Sequence, residues 1–596
     1  MSTWILRQTD ANLQLMTRVL GISPVAARIL ANRGIRSKLA AKRYLDPDIR
    51  LLAQASVMKG MELAARTLSE AIDEGKKIAI FGDYDVDGVM GTVILEKLLA
   101  FYGTKPIHVI PKRSEGGYGL SLAAVQKLKD AGVELLVTCD NGISAIDEIA
   151  LAKKLGMEVV VVDHHEPKYT LEDGAKREIL PNADCIVDPK QQTCGYPFKQ
   201  YCAAGLAYRL AGAMEAIRGK HFGWSKMCLA LAAIATICDI VPLQDENRML
   251  AKQGLAALNK DKKINLGLWH LMAEKKIEEK VISVFDVGFI IGPCINAAGR
   301  LAHAAEAVDL FLSEDPVQSK DIAVRLAELN ETRKTMTEQA CERALSIIDE
   351  SELDKVLVLF DSQTHESIAG VVAGRIKERL CRPVIMLTND LEGRLVKGSA
   401  RSIDCYNIFD ALSRNDELFL RFGGHAMAAG LTLEERNVSV LRERLNAQCE
   451  LSEDNFVPAL YIDMQLQPEE ATYALAKELE GLAPFGKDNP EPLFLAKGLS
   501  LEYLRMIDAK NTIIFTFSCA TGRMKAVCFG QNDVFKANVF QMFDEAQAAR
   551  IFAGSVKNAG FGMDVVYSPE INEYNNSVSV QMRVKDFRLF KRWHNG

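Results

Sequence analysis

The chain has 596 residues, of which 48% are hydrophobic and 25% charged, and its formal net charge is −6. This length exceeds what one hydrophobic core organises and predicts about three or four domains. The net charge by itself indicates neither a membrane nor a nucleic-acid partner. The 13 cysteines include no Cys-x-x-Cys pair, which argues against a disulfide framework or a zinc ribbon. Without a signal-like N-terminus or an apolar run long enough to cross a bilayer, we expect a cytoplasmic protein.

Helical patterns alternate with short Val/Ile-rich runs between about residues 60 and 250, after a start (1–48) that looks helical. Strict alternation of this kind is typical of a doubly wound parallel sheet. The pattern predicts helices at 61–74, 89–101, 121–130 and 144–155, and strands at 77–81, 106–110, 134–138 and 158–162.

The second half of the chain predicts three further parts. A long charged helical pattern with a single proline, Pro316, covers about residues 304–350 and would connect two lobes. A second α/β block follows, with a strand at 355–360, a helix at 367–380 and a strand at 384–388. Short β-rich runs beyond about residue 455 favour a small barrel such as an OB-fold. We therefore predict an α/β protein divided into a helical segment (1–48), an α/β domain (49–303), a connecting helix (304–352), a second α/β domain (353–455) and an OB-like β-barrel (456–596).

Acidic and imidazole side chains follow four apolar runs of the first α/β block. If all four runs are strands, these groups meet at one edge of the sheet, where α/β folds place their ligand sites. Carboxylates that converge in this way repel one another unless cations lie between them. Oxygen ligands with one or two imidazoles and no thiolate suit Mg²⁺ or Mn²⁺ better than zinc. The groups are Asp83, Asp85 and Asp87 after 78–81, Asp140 after 135–139, Asp163, His164 and His165 after 159–162, and Asp239 after 234–238.

Each group also has a simpler explanation when it is taken alone. The pattern Asp-x-Asp-x-Asp-Gly describes a calcium loop or a solvated turn as well as a catalytic metal site. Asp140 and Asp239 could each be helix N-caps, because helical patterns follow both. A cap explains either residue singly, but it does not explain why all four runs end in acids.

Together the four motifs resemble those of the DHH phosphoesterase superfamily, and most of all the RecJ family within it. The resemblance extends over nearly the whole chain, including the Gly-Gly-His segment at 423–425 and a proline-rich string at 484–492 that carries Asp488 where glycine is expected. Much of the superfamily has a histidine where this chain has Phe81, and Asp83 takes its place in RecJ-type chains. The motifs are Gly-Asp-Tyr-Asp-Val-Asp-Gly (82–88), Cys-Asp-Asn-Gly-Ile-Ser (139–144), Asp-His-His (163–165) and Cys-Asp-Ile-Val-Pro-Leu (238–243).

The resemblance implies a phosphodiesterase with two divalent cations, Mn²⁺ or Mg²⁺, about 4 Å apart. Asp140 would bridge the two ions. His165 would face the phosphate, where it could stabilise negative charge or protonate the leaving oxygen. Asp163 would orient an imidazole. The implied metal ligands are Asp83, Asp85, Asp87, Asp140, His164 and Asp239.

Cationic and polar residues outside the metal motifs are candidates for binding nucleic acid. By resemblance, Arg113, Ser399 and Arg401 hold a 5′ phosphate and Arg300 contacts the strand. A Gly-x-Ala turn at 398–400 would bring backbone amides close to phosphate. The simpler explanations are a solvated loop position for Arg113 and a structural role for His425. The remaining candidates are Tyr118 as a stacking face, Asn296 as an amide donor and His425 in the same cleft.

The function that the resemblance implies is a 5′→3′ exonuclease acting in DNA repair and recombination. It would hydrolyse single-stranded DNA to 5′-mononucleotides, as a monomer, with a helicase and a single-strand-binding protein as plausible partners. One alternative is an oligoribonuclease or a cyclic-dinucleotide phosphodiesterase, although such chains typically end after two α/β lobes. The other is a binding protein that has lost catalysis, against which every expected acid and both histidines are present.

Overall fold

The structure is a computed structural model and describes residues 2–112, 119–172, 175–221, 225–349, 352–390, 393–520, 522–554, 561–574 and 577–591. The chain forms two compact units. The larger is Asp48–Val457, and the smaller combines Met1–Pro47 with Pro458–Gly596. The two ends of the sequence therefore belong to one unit, although the sequence patterns treat them as separate segments.

A five-stranded, fully parallel sheet forms the centre of the first lobe of the larger unit, which we define as residues 48–312. Its three central strands are buried and rich in Val, Ile and Leu, as expected for a sheet covered on both faces. The parallel α/β sheet predicted from the sequence is thus confirmed. In spatial order its strands are Ile107–Val109, Ile78–Phe81, Leu135–Cys139, Glu158–Val162 and Cys185–Val187.

Helices cover both faces of this sheet, and one antiparallel hairpin, Lys168–Glu172 with Ala175–Ile179, lies outside it. One helical run among the described residues, Val284–Leu301, is long and apolar enough to cross a membrane by composition, but half of it is buried inside the fold. The helices are Met61–Asp73, Val86–Phe101, Leu122–Asp130, Ile146–Lys154, Ala203–Arg218, Ser225–Cys238, Asp245–Lys260, Leu266–Glu274, Val284–Asp286, a π-helical turn Val287–Ile291, Gly292–Leu301 and Ala305–Leu312, with short turns Ile49–Leu51 and Ala55–Val57.

One prediction for this part of the chain is wrong. The apolar run before Asp239 is not a strand but the end of the helix Ser225–Cys238, whose alanines favour helix. The predicted long connecting helix is present as Pro316–Ser346, and a separate short helix, Ala305–Leu312, precedes it. Pro316 occupies the first turn of the long helix, where its missing N–H costs nothing, and Asp315 caps that helix.

The second lobe, residues 353–457, contains a mixed five-stranded sheet. The helix Ala369–Leu380 packs on one face of this sheet, and Ile408–Ser413 and Val438–Ala447 pack on the other. The predicted Gly-x-Ala turn at 398–400 is wrong, because these residues lie within a strand. In spatial order the strands are Phe419–His425, Ala428–Leu433, Val396–Arg401, Val384–Asn389 and Leu357–Phe360.

A closed five-stranded barrel dominates the smaller unit, which confirms the OB-like prediction. Phe515 and Phe517 are buried in its core, as expected. The sequence patterns did not predict the barrel strand Phe494–Ile507, because Gly498 and a shift in register interrupt its alternation of apolar and polar residues. The barrel strands are Phe494–Ile507, Thr512–Cys519, Gly522–Phe529, Ser577–Lys591 and Phe561–Tyr574, accompanied by Met464–Gln465 and the helices Tyr473–Glu480, Asn532–Met542 and Glu545–Phe552.

The N-terminal segment begins with a strand, Thr3–Leu6, which pairs in parallel with Ala459–Ile462. The prediction of an entirely helical start is therefore wrong for its first residues. Three helices follow, and buried residues such as Ile29 and Leu30 share one core with the barrel. These helices are Leu13–Leu20, Pro24–Asn32 and Lys38–Leu45.

Candidate metal centre and nucleic-acid cleft

Side chains from four segments converge at the carboxyl edge of the first sheet. The Nε2 atom of His164 lies 3.1 Å from Asp140 Oδ1 and 3.6 Å from Asp87 Oδ2. The same nitrogen lies 3.7 Å from Asp239 Oδ2, so a helix end and three strand ends meet at one point. Three overlapping groups have ligand atoms within 4.8 Å of one another: Asp87, His164 and Asp239; Asp83, Asp85 and Asp140; and Asp140, His164 and His165.

The backbone of the first motif is shaped by the start of the helix Val86–Phe101. Asp85 is the N-cap of this helix, and its Oδ1 accepts hydrogen bonds from the N–H groups of Asp87 (3.0 Å) and Gly88 (3.3 Å). A Cβ on Gly88 would lie 2.5 Å from the backbone nitrogen of Asp83. Only glycine therefore allows the strand end and the helix to approach so closely.

Asp87 is buried and held by a second helix. Its carboxylate accepts hydrogen bonds from the N–H groups of Ala203 (2.6 Å) and Ala204 (2.8 Å). These donors open the helix Ala203–Arg218, whose N-terminus favours a negative charge. No polar motif marks the first turn of this helix, so its role in the site could not be predicted from the sequence.

Neither Asp140 nor Asp239 caps a helix, so the N-cap alternative does not hold for either. Asp140 has a φ of 65°, a left-handed conformation that Asp tolerates better than most residues. Its N–H donates to the carbonyl of Val162 at 3.0 Å, and the next helix begins only at Ile146. This conformation turns the chain sharply at the end of its strand.

The electrostatics of the cluster favour bound cations. Burial, followed by repulsion from Asp87 and Asp85, holds the pKa of Asp140 well above its ordinary value. Burial and the same two neighbours raise the pKa of Asp239 in the same way. Carboxylates in this arrangement need protons or metal ions between them. The donor set is mostly oxygen with one or two imidazoles, which fits hard divalent cations such as Mg²⁺ and Mn²⁺.

Asp163 contacts the second imidazole of the motif. Its Oδ1 lies 2.7 Å from His165 Nδ1, and its Oδ2 accepts a 2.9 Å hydrogen bond from the N–H of Ile143. Burial alone would raise the pKa of Asp163, but the hydrogen bond and charge of His165 lower it to about 2. Burial would lower the pKa of His165, yet the hydrogen bond to Asp163 raises it to about 9.

The two adjacent histidines differ in environment and protonation. The side chain of His164 is 9% exposed and that of His165 is 43% exposed. Burial, followed by the positive charge of His165, lowers the pKa of His164 to about 4. His164 is therefore neutral at physiological pH, the form that binds metals, whereas His165 carries a proton on the open side of the cluster.

Asp188 is a buried acid that the sequence analysis missed. It directly follows the edge strand Cys185–Val187 of the same sheet. Burial, followed by repulsion from Asp163, raises its pKa to about 8. The rule that located the other groups, an acid at a strand end, would also have found this one, but the three-residue strand was too short to be recognised.

The second lobe brings Ser399 and Arg401 together. Arg401 Nη1 donates to Ser399 Oγ at 2.9 Å and to the carbonyl of Ala400 at 2.8 Å. A Cβ on Gly370 would lie 2.7 Å from Arg401 Nη2, so the guanidinium lies against the first turn of the helix Ala369–Leu380. A hydroxyl, a guanidinium and a helix N-terminus at one place suit an anion.

Two residues of the segment 296–300 connect the lobes and the first motif. Arg300 Nη1 donates to the carbonyl of Ser367 at 2.7 Å, across the two lobes. The amide oxygen of Asn296 accepts a 3.2 Å hydrogen bond from the N–H of Val86. Asn296 thus supports the backbone of the metal motif, and its predicted contact with nucleic acid stays a prediction.

His425 and the loop residues complete the predicted set. His425 is exposed at the end of an edge strand and accepts a 3.2 Å hydrogen bond from the N–H of Met427. It lies two strands from Arg401, because both residues pair with Ala428. Arg113 and Tyr118 lie outside the described residues.

Family models and known proteins resemble this chain over nearly all of its length. The models that match are the DHH family, N-terminal domain (77–236), the DHHA1 domain (353–451) and the RecJ OB domain (462–586). The chain is 34% identical over 588 residues to the single-stranded-DNA-specific exonuclease RecJ of Bacillus subtilis, covering 98% of this chain and 70% of the relative. It is 31% identical over 587 residues to the Haemophilus influenzae exonuclease of the same name, covering 94% and 95%.

Solved structures of similar fold include RecJ of Thermus thermophilus in complex with Mn²⁺. That structure has a TM-score of 0.81 at 28% identity and covers 98% of this chain and 79% of its own. A second structure, exonuclease RecJ bound to manganese, has a TM-score of 0.57 at 33% identity and covers 67% and 96%.

Proposed function

The chain belongs to the RecJ family of single-stranded-DNA-specific exonucleases, and we propose that it degrades single-stranded DNA from the 5′ end to 5′-mononucleotides. One observation carries this proposal. Tyr84, which lies between Asp83 and Asp85, lines the same cavity as Ser399. The cavity that Ser399 lines is therefore bordered by a residue of the first acidic motif, which supports a substrate that reaches from the second lobe to the metal centre.

Divalent cations of the Mn²⁺ and Mg²⁺ class are the cofactors of this enzyme. We propose that Asp83, Asp85, Asp87, Asp140, His164 and Asp239 would hold them, with Asp140 as the ligand common to two of the three groups. When bound, such ions lower the pKa of a water molecule and neutralise charge on the phosphate.

Two residues of the chain, His165 and Asp163, supply a proton donor and hold it in position. His165 is protonated near neutral pH and lies on the exposed side of the cluster, where its Nε2 can donate to a phosphate or to the leaving oxygen. Asp163 holds the ring through Nδ1 and stabilises its positive charge. We assign Asp163 as a positioning residue and His165 as the group that contacts substrate.

The second lobe supports the proposed polarity. A terminal phosphomonoester carries up to two negative charges, whereas an internal phosphodiester carries one. Arg401, Ser399 and the N-terminus of the helix Ala369–Leu380 together offer charge-assisted and backbone donors, which favour the doubly charged end. Arg300 would contact the strand between this place and the metal centre, since it already links the lobes.

An oligoribonuclease or a cyclic-dinucleotide phosphodiesterase is not favoured. The Bacillus subtilis and Haemophilus influenzae relatives, both named as single-stranded-DNA-specific exonucleases, match 98% and 94% of this chain, and the RecJ OB domain model matches residues 462–586. A barrel of this type suits a long strand, on which it can bind successive nucleotides by stacking and charge.

The cellular setting is also part of the proposal. We propose a monomer in the cytoplasm that acts in DNA repair and recombination, with a helicase to open duplexes and a single-strand-binding protein to present the strand. The support is the family to which the chain belongs.

Strands labelled at one end or the other test the function directly. With Mn²⁺, a 5′-labelled single strand should release labelled mononucleotide at once, and a 3′-labelled strand only at the end of degradation. Circular single strands and duplexes should resist. Early release of the 3′ label, or cleavage of the circle, would contradict the proposed polarity.

A further inference from the structure

The sheet face that carries Ser399 and Arg401 continues beyond these two residues. Directly opposed residues of antiparallel strands lie on the same face of a sheet, and alternate residues of a strand share that face. The pairing of three strands therefore defines three rows across this face. The rows are Arg401, Ala428 and His425; then Ser399, Gly430 and Gly423; then Lys397, Thr432 and Arg421.

The middle row is open because two of its three residues are glycines. Neither Gly423 nor Gly430 has a positive φ, and a Cβ on either would meet nothing within 4 Å. Two other glycines of these strands differ: a Cβ on Gly398 would collide with Leu387, and Gly424 has a φ of 153°. Glycine weakens a strand, so its use without a backbone or packing reason indicates close approach by something else.

The third row is basic and lines a cavity. Lys397 and Arg421 are among the residues around a space of about 490 Å³, with Tyr84 of the first lobe on its other side. Lys397 forms a 2.8 Å ion pair with Glu366, which neutralises part of its charge. Arg421 is exposed, and no described acidic residue lies within ion-pair distance of it.

We propose that this face binds the strand at two places, with Arg421 and Lys397 holding an internal phosphate while the 5′ end lies at Ser399 and Arg401. Gly423 and Gly430, in the row of Ser399, form the floor that leads from the 5′ end to the basic row. The outer rows are four residues apart along a strand, or about 13 Å at the usual rise. The inference rests on the proposed function, and it adds where the strand runs after its first phosphate.

Binding of modified strands to the full chain tests this inference. The probe is a 5′-phosphorylated single strand, measured in EDTA to prevent hydrolysis, over a series of salt concentrations. Arg421→Gln should weaken binding roughly three- to tenfold and reduce the slope of log K against log salt by about one. Arg436→Gln, an exposed arginine of the same lobe that pairs with Glu434, is the matched control and should change neither.

Strands with one neutral methylphosphonate linkage locate the contacted phosphate. In the wild type, neutralising the contacted linkage should weaken binding, and in Arg421→Gln the same neutral linkage should cost nothing further. Other contacted linkages should cost the same in both proteins. The inference would be overturned if each neutral linkage weakened binding by Arg421→Gln as much as binding by the wild type. It would also be overturned if the slope of log K against log salt were the same in both proteins.

Gly430→Ala tests the floor without depending on charge. Because its Cβ would meet nothing, the variant should melt at the same temperature as the wild type or higher, yet bind the strand more weakly. Wild-type binding by a stable Gly430→Ala would overturn the proposed floor. Failure of the proposed function can be recognised separately. If the wild type binds strands with and without a 5′ phosphate equally well, while one neutral linkage still has no further effect in Arg421→Gln, then the 5′ end is wrongly placed but the basic row still binds an internal phosphate.

Discussion

The Asp163 carboxylate and the His165 imidazole form one unit, with 2.7 Å between Oδ1 and Nδ1. The same Oδ1 accepts the backbone N–H groups of His164 (2.7 Å) and His165 (3.2 Å). This arrangement fixes the ring and leaves its Nε2 on the side away from Asp163. The buried acid therefore sets both the orientation and the protonation of the exposed imidazole.

Asp163→Asn should shift the alkaline limb of the pH–rate profile. If the reaction needs protonated His165, wild-type activity should decline as pH rises through about 9, the raised pKa. The amide removes the negative charge that raises it, so the limb should move down toward the ordinary histidine value of about 6.5. The measurement is kcat against pH at saturating Mn²⁺. The pH–rate profile of His165→Asn should lack the alkaline limb. An alkaline limb at the wild-type pH in Asp163→Asn would contradict the pairing of Asp163 with His165.

Asp140→Asn should stabilise the metal-free protein and inactivate the enzyme. The pKa of Asp140 is raised by burial and by neighbouring carboxylates, so its ionised form destabilises the fold at neutral pH. Asparagine removes that charge and tolerates the left-handed φ of 65°. We expect a melting temperature in EDTA higher by a few degrees, a smaller Mn²⁺-induced rise, and turnover lower by at least about 100-fold. A lower melting temperature in EDTA would contradict the repulsion.

Metal binding should release protons, and affinity should increase with pH. In the metal-free protein the raised pKa values of Asp140 and Asp239 favour bound protons, which a cation must displace. As pH falls, proton occupancy rises and Mn²⁺ affinity decreases. Calorimetric titration in buffers of different ionisation enthalpy measures the number of protons released. A heat of binding that is the same in all buffers would show that the cluster is already ionised.

Arg401→Ala should remove most of the preference for a 5′ phosphate. Loss of a charged hydrogen-bonding partner costs about 1.5–3 kcal/mol, which corresponds to roughly 10- to 150-fold. The measurement is the ratio of kcat/KM for 5′-phosphorylated and 5′-hydroxyl strands. Activity on the hydroxyl strand should fall much less, because the metal ligands are untouched. Arg436→Ala serves as the control, and a ratio unaffected by Arg401→Ala would place the phosphate elsewhere.

A fragment spanning residues 48–457 should fold and hydrolyse short oligonucleotides. It corresponds to the larger compact unit. Without the barrel it should bind long single strands more weakly and with a shallower salt dependence, since fewer phosphates are contacted. A fragment spanning 1–457 should aggregate more readily, because Ile29 and Leu30 lose the barrel core that buries them. Unchanged affinity of the 48–457 fragment for long strands would mean that the barrel serves another purpose.

Local patterns were sufficient for much of the first lobe. The strands predicted at 77–81, 134–138 and 158–162 agree with Ile78–Phe81, Leu135–Cys139 and Glu158–Val162 to within one or two residues. Buried parallel strands are continuous apolar runs, which a sequence displays directly. The run before Asp239 shows the limit of this rule, because a short apolar run does not distinguish a strand from a buried helix.

The sequence by itself determined which residues are available for catalysis, namely the acids and histidines that follow apolar runs and the glycines beside them. It also determined the family resemblance that these motifs carry. The roles assigned to the individual site residues stay predictions. Only the tertiary structure decided that the helix N-terminus at Ala203 holds Asp87, that Asp163 holds His165, and that both ends of the chain share one unit. The physical reason is the distance along the chain over which a sequence pattern carries information. Strand and helix patterns reflect neighbours within a few residues, whereas most of these contacts join backbone donors or apolar faces that lie far apart in the chain. Such donors and faces have no distinctive local sequence.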